Sequence, residues 1–424
     1  MHEVESTPEK TLLISVVTKG SNRESAMENI EELAFLVETT GAEVVYKIYQ
    51  ELPKLNRATC IGSGKVLEIK ELISEKNITL VVFDDDLTPM QNRNLMKALN
   101  VKVTDRSGII LDIFASRAKT IEAKTQVELA QMQYLLPRLT RLWTHLSKQF
   151  GGVGTTSRGP GETQIETDRR LLRERIQFLK QKLEEINTQK AQQRKGRGAF
   201  SRFALVGYTN AGKSTLMKAL TNADVYIEDE LFATLDTTVR SFELPGGETV
   251  LLSDTVGFIR KLPTHLVASF RSTLAEAREA DVLIHVVDIS HPQFREQIKA
   301  VNYTLESLDI IDKPVVLVLN KIDKLDDMNI ALSVAKEFEH SILVEAKRGV
   351  NILALLDLLK KINDENSSKI QLFVPYSHSH ILGKIYEKAE ILERIDEDDG
   401  TRFFLKVQSD TVGYFTNTFG AFFV

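Results

Sequence analysis

Apolar and polar positions along the chain fall into blocks that read as strand, helix, strand. Residues 12–17 are apolar, 24–37 carry a polar helical pattern, and 43–49 are apolar again. A second unit follows, in which residues 61–65 open a helix to Ile73, 78–83 form a strand ending in Asp84, Asp85 and Asp86, and a helix over 89–99 leads to a strand at 101–104. Short apolar strands separated by helices need crossover connections, which predicts a small parallel α/β domain over residues 1–118.

The period then changes. A long helical pattern runs from Ile121 to Phe150, with Pro137 expected to kink or interrupt it, and a second runs from Ile165 past Ile186. In the second, Ile165, Leu172, Ile176, Leu179, Leu183 and Ile186 fall seven, four, three, four and three residues apart, the seam of a two-helix coiled coil. A helical hairpin arm over 119–198 is expected, with a glycine-rich tip loop at 151–162 too long to be a minimal helix connection. Beyond it, apolar runs at 203–206, 250–253, 314–319 and 341–344 predict strands of a parallel sheet in a domain spanning 199–365. The tail, 366–424, reads as a small α/β appendage with strands at 371–374 and 402–407, a helix over 381–391, an acidic turn at 393–399 and a linker at 363–368.

Chemistry enters at residues 207–215. Gly207, Tyr208, Thr209, Asn210, Ala211, Gly212, Lys213, Ser214 and Thr215 form a full phosphate-binding loop between a strand and a helix. The glycines let backbone N–H groups turn toward phosphates, Lys213 reaches the β and γ phosphates, and Ser214 offers its hydroxyl to Mg²⁺. Asn320, Lys321, Ile322 and Asp323 follow the apolar run 314–319, so the Asp323 carboxylate can accept guanine's N1 and 2-amino protons, which adenine lacks. GTP and GDP are therefore the expected ligands. The strand at 341–344 leads into Glu345, Ala346 and Lys347, where a backbone amide can meet guanine O6; Glu345 stands where most GTPases carry Ser.

Two segments between these motifs have the pattern of nucleotide switches. In the first, Phe232, Ala233, Thr234, Leu235 and Asp236, Thr234 is the candidate Mg²⁺ hydroxyl, with Thr237 and Thr238 as rivals. In the second, here termed switch II, Asp254, Thr255, Val256 and Gly257 end a strand; Asp254 would order Mg²⁺ through water and Gly257 would sense the γ-phosphate. Phe258 stands where many GTPases place the glutamine that positions the attacking water, so a low intrinsic rate is expected and the catalytic group is left unassigned. Gly257 and Asn210 are candidates; Asn210 matches the Asn that binds K⁺ in potassium-activated GTPases, and is equally readable as a turn residue. Arg240 and Arg260 are candidate internal charge donors.

Composition narrows the setting. The chain has 424 residues, enough for about three domains, and a net charge of −5. Its one cysteine, Cys60, excludes an intramolecular disulfide framework and fits a reducing cytoplasm. Residues 1–8 lack a signal pattern and no apolar run approaches a membrane span, so a cytoplasmic monomer without an integral membrane segment is expected, with peripheral membrane association left open. Between 158 and 197 there are eleven Lys or Arg against six Asp or Glu, which favours an RNA partner for the arm. Gly151, Gly152, Gly154, Thr155, Arg158, Gly159 and Gly161 in the tip loop are the candidate RNA contacts. In the front domain Gly62, Gly64 and Lys65 could hold a phosphate and the three aspartates a metal, which leaves weak ATP binding open there.

Taken together, the loop from Gly151 through Arg158, Gly159, Pro160, Gly161, Glu162 and Thr163 to Asp168, Arg169 and Arg170, the segment 231–236, the run 254–258 and the front-domain segments 61–65 and 84–89 resemble the HflX family of translational GTPases over nearly the full length. The resemblance implies a GTPase stimulated by ribosomes. It would bind the large ribosomal subunit with its arm loop directed at rRNA near the peptidyl transferase centre, and in its GTP state separate the subunits of stalled or idle ribosomes under stress, hydrolysis resetting it. The alternatives are a GTP-dependent ribosome-bound regulator or scaffold without splitting activity, and ATP-dependent RNA remodelling by the front domain.

Overall fold

The computed structural model describes residues 8–18, 23–139, 164–194, 200–221, 232, 238–261, 275–310, 313–408 and 411–423. The tip loop at 151–162, the end of the first arm helix beyond 139, and switch residues 231 and 233–237 lie outside them. The chain divides into two compact units, one built from residues 1–184 with 262–269 and the other from 185–261 with 270–424.

The first unit opens with β1 (Lys10–Thr18), α1 (Arg23–Thr39), β2 (Glu43–Leu52), α2 (Ser63–Lys76), β3 (Leu80–Phe83), α3 (Pro89–Leu99) and β4 (Lys102–Asp105). All strand pairs are parallel, in the order β2-β1-β3-β4. Leu12, Ile14, Val81 and Phe83 are buried in a core with Ile69, Leu95 and Leu99 from the crossover helices, as apolar runs covered on both faces require. Thr88 starts α3 with a reciprocal cap: its hydroxyl accepts from the Gln91 N–H while the Gln91 side chain accepts from the Thr88 N–H, and Pro89 takes the first helical position.

The front-domain aspartates do not come together as a metal site. Asp84 is buried against Arg106 at 2.9 Å, and Arg106 also meets Glu32 at 2.8 Å. Asp86 instead accepts from the Ser107 hydroxyl at 2.5 Å. Among the described residues no group of three or more His, Cys, Asp or Glu is arranged to hold a metal. The Gly62 N–H donates to Gln50 Oε1 at 3.1 Å, and Lys65 pairs with Glu68, so two of the three expected phosphate donors have partners within the fold.

Asp105 ties this sheet to the root of the arm. It caps α4 (Arg106–Arg117) by accepting from the Gly108 N–H, and it also accepts from the Leu87 N–H, the Tyr134 hydroxyl and Arg138 Nη2, at 2.8 to 3.1 Å. Tyr134 lies on α5 (Ile121–Leu135), which gives way at Pro137 to a single 3₁₀ turn, Leu136–Arg138. The second arm helix, α6 (Gln164–Arg194), packs Leu172, Ile176, Leu179 and Leu183 on Leu129 and Met132. Those are four of the six expected seam positions. Ile186 is half-buried outside that cluster, and the side chain of Ile165 is not among those described.

The second unit is built on a six-stranded sheet, β10-β9-β8-β5-β7-β6. Its strands are β5 (Arg202–Gly207), β6 (Thr238–Leu244), β7 (Glu248–Asp254), β8 (Val282–Asp288), β9 (Val315–Asn320) and β10 (Ser341–Leu343). Only the β6–β7 pair is antiparallel. Around the sheet lie α7 (Lys213–Thr221), α8 (Ala275–Glu279), α9 (Phe294–Ser307), α10 (Met328–Ala335) and α11 (Ile352–Glu365). β5 lies between β7 and β8, so the sheet's order reverses there and a crevice opens at the carboxyl ends of the strands.

The tail departs from expectation in three places. The stretch 363–368 is no linker: α11 runs to Glu365 and β11 (Ser367–Pro375) starts almost at once, with Asn363 fully buried. The expected helix over 381–391 is shorter, α12 (Leu382–Lys388), and is followed by a strand, β12 (Glu390–Glu397). Most of the acidic stretch is therefore strand, with only residues 398 and 399 turning into β13 (Gly400–Gln408). These strands form an antiparallel sheet, β11-β13-β12, whose core includes Phe403 and Leu405, with Phe415 and Phe419 from α13 (Val412–Phe419).

Ionic contacts join this sheet to the larger one. Glu248, at the start of β7, accepts from Lys406 Nζ at 2.7 and 2.8 Å, from Lys360 Nζ at 2.5 Å and from Asn363 Nδ2 at 2.6 Å. Asp364 adds contacts of 2.8 and 3.1 Å to the same two ammonium groups. Burial alone would raise the Glu248 pKa, but the two lysines more than offset it and hold it below the ordinary value; Asp364 is depressed in the same way. A depressed carboxylate contributes stability that is fully present above its unfolded pKa and is lost as pH falls through the folded one. Replacing Lys406 with Met is therefore expected to lower unfolding stability at pH 7 by about 1–3 kcal/mol. The difference from the unaltered protein should shrink as urea unfolding is repeated below pH 4, and an equal difference at both pH values would refute this account.

Candidate nucleotide site

The crevice gathers the carboxyl ends of five strands. β5 delivers the phosphate loop, β7 ends at Asp254, β8 at Asp288, β9 at Asn320, and β10 leads into Glu345. Lys213 is buried, and its ammonium donates to the carbonyls of Gly207 at 3.1 Å and Tyr208 at 2.9 Å, so the long side chain is pinned along the loop. Burial lowers its pKa to about 8, opposed by the charge of Asp254, which leaves it mainly cationic at neutral pH. His285 on β8 is buried, and its pKa is lowered to about 4 by burial and by the Lys213 charge, so it is neutral there.

Gly212 has φ of +97°, and a Cβ there would lie 2.2 Å from Asn320 Nδ2. The loop thus needs glycine for both conformation and space. Asn320 uses its whole carboxamide: Nδ2 donates to the Ala211 carbonyl at 2.9 Å, and Oδ1 accepts from the Ala346 N–H at 3.1 Å. That amide, one candidate for guanine O6, is therefore engaged by Asn320. Lys321 spans to the Asn210 carbonyl at 2.6 Å and to Asp288 at 2.8 Å. Asp323 follows on the 3₁₀ turn Ile322–Lys324 with its side chain exposed at the rim. Asp288 did not emerge from the motif reading, although an acidic residue closing the apolar run 282–287 is a usable signal.

Ser214 donates its hydroxyl to Asp254 at 2.8 Å, which puts the two residues expected around Mg²⁺ side by side. Such an oxygen pair at the foot of a phosphate loop suits a hard divalent cation. Thr238, the described rival to Thr234, opens β6 opposite Asp254 in the β7 register. Asn210 is exposed with φ of +59°, the left-handed geometry of a turn Asn. Glu345 is buried, with Arg348 Nε at 3.3 Å. Arg240 is exposed on β6 and Phe232 is buried. Phe258 is also buried, and its side chain has no polar group with which to orient an attacking water.

Proteins of one known family match this chain over most of its length. GTPase HflX of Flavobacterium psychrophilum is 48% identical over 382 residues, spanning 89% of this chain and 90% of that protein. The chain belongs to the HflX family of GTPases. GTPase HflX of Magnetococcus marinus is 43% identical over 97% of this chain and 96% of its own length. Three family profiles match in succession: GTP-binding GTPase N-terminal over residues 27–115, GTP-binding GTPase Middle Region over 117–197, and 50S ribosome-binding GTPase over 202–321. A solved GTP-binding protein from the archaeon Sulfolobus solfataricus, in complex with GDP, is 25% identical over 84% of this chain and 99% of its own, with a TM-score of 0.43. HflX membership makes the chain a GTP-hydrolysing enzyme with a P-loop fold. Among the described residues, no helix is long and apolar enough to cross a membrane.

Proposed function

We propose that this HflX-family GTPase binds the large ribosomal subunit and, with GTP bound, separates the subunits of stalled or idle ribosomes, hydrolysis returning it to a form that releases. The observation that carries the switch is the closeness of Gly257 to the phosphate loop: a Cβ on it would lie 3.0 Å from Lys213 Nζ and 2.8 Å from Thr209 Cα. A γ-phosphate at the Lys213 ammonium must therefore act directly on the main chain of switch II. Residues 207–215 hold the phosphates and Asp323 reads guanine, while the Asn320 bond to the Ala346 amide sets the 345–347 loop beside the base site. Ser214 and Thr234 would hold Mg²⁺ with Asp254 behind a water; the ion neutralises charge on the β and γ phosphates. Gly151, Gly152, Gly154, Thr155, Arg158, Gly159 and Gly161 supply amides and a guanidinium for rRNA, and the basic excess of 158–197 adds attraction to its backbone.

Light scattering of assembled ribosomes tests this reading. Dissociation is expected with GTP and with a non-hydrolysable analogue, and not with GDP; deleting residues 151–161 should abolish splitting while nucleotide binding persists. Binding in all nucleotide states without any fall in scattering would favour a ribosome-bound regulator instead. If Asn210 holds K⁺, GTP turnover in the same assay is faster in KCl than in NaCl at equal ionic strength, and equal rates dismiss the cation.

A further inference from the structure

Three hydrogen bonds fasten residues 258–260, which continue switch II past Gly257, to the phosphate loop. Two are made by the backbone: the Thr209 N–H donates to the Phe258 carbonyl at 2.8 Å, and the Phe258 N–H donates to the Gly207 carbonyl at 3.1 Å, forming one rung of parallel pairing between Tyr208 and Phe258. The third uses a side chain. The Arg260 N–H donates to the Tyr208 hydroxyl at 2.7 Å. Tyr208 and Phe258 are both buried, so the pairing is shielded from competing water.

This pairing and a γ-phosphate compete for the same space. A phosphate bridging the Lys213 ammonium and the Gly257 amide takes a hydrogen bond on each side of its own width, which needs roughly 5 Å or more between the two groups. A Cβ on Gly257 would lie 3.0 Å from Lys213 Nζ and 2.8 Å from Thr209 Cα, so residue 257 is already closed against the loop where a γ-phosphate would stand. A γ-phosphate beside Lys213 would press on residue 257, and the bonds that hold residues 258–260 against the loop count against its entry. GDP carries no such group.

We propose that Tyr208 is a specificity-determining residue of the phosphate loop, whose hydroxyl clasps switch II through the Arg260 amide and biases the protein toward GDP over GTP. This rests on the GTP-switch reading and adds to it a named residue that sets the threshold. The plainer role for Tyr208 is packing, and Tyr208→Phe separates the two because it keeps the ring and removes only the hydroxyl. Affinities for GDP and for GTPγS, measured by competition with a fluorescent guanine nucleotide, are expected to shift in ratio toward the triphosphate by about two- to tenfold. Because the ratio compares two ligands on one preparation, partial loss of fold lowers both affinities and does not imitate the effect. A ratio that stays put or moves toward GDP overturns the proposal.

Amide hydrogen exchange on the unaltered protein gives a second reading. The Arg260, Phe258 and Thr209 amides should be protected with GDP, and those of Arg260 and Phe258 should exchange faster with GTPγS. Equal protection of Arg260 in both complexes overturns the clasp even if Tyr208→Phe does not fold. Absence of binding by either nucleotide would instead overturn the GTP-switch reading beneath it.

Discussion

Replacing Lys213 with methionine is expected to weaken binding of both GDP and GTP by on the order of a thousandfold. The ammonium is buried and held on the carbonyls of Gly207 and Tyr208, so it is already oriented before a phosphate arrives. Charge-assisted contacts to phosphate are worth about 1.5–3 kcal/mol each, and a preorganised donor sacrifices little side-chain freedom in making them. Methionine keeps most of the apolar stem, and removing a charge whose pKa burial has lowered to about 8 relieves desolvation. Folding stability is thus expected to hold or rise while binding collapses. Calorimetric titration beside thermal unfolding checks both halves; a loss of affinity below tenfold would show that the loop amides alone retain the phosphates.

The second large effect is a change of base. Asp323→Asn is expected to weaken guanine nucleotides by on the order of a thousandfold and to strengthen xanthine nucleotides. A carboxylate only accepts, which matches the N1 and 2-amino donors of guanine; a carboxamide also donates, which matches the 2-oxo group of xanthine. The position suits this test because Asp323 is exposed on a turn fixed from both sides: Asn320 is bonded to Ala211 and Ala346, and Lys321 to Asp288. The substitution should therefore alter recognition without disturbing the core. Competition between GDP and XDP on the variant decides it, and an unchanged preference for GDP would move base recognition to another residue.

Local patterns made much of this legible in the sequence. The parallel sheet of the front domain, the interruption at Pro137 and the strand-to-helix setting of residues 207–215 all follow from periods and breakers within a few residues. What sequence reading missed depended on distant partners. Asp84, one of three aspartates at a strand exit, looked like a metal ligand, yet its charge is met by Arg106, 22 positions away. The polar composition of 363–368 looked like a linker, but Asn363 is buried and donates to Glu248, 115 positions away. β12 was obscured for another reason: it is an edge strand, where Glu393, Arg394 and Asp396 face solvent and blunt lateral pairing, so its alternation is weak. In the crevice, residues from separate motifs meet, as Ser214 does Asp254 and Asn320 does Ala211, whereas the Tyr208 to Arg260 bond joins two positions that no motif links.

The carboxamide of Asn320 bonds to both rims of the crevice, the Ala211 carbonyl on one side and the Ala346 amide on the other. With a guanine nucleotide seated as proposed, the cavity could not gape around the purine without tugging on the peptide that cradles the anion, nor could that peptide relax without loosening the purine. Discrimination and tightness would then be yoked together, and drift in either would register in both.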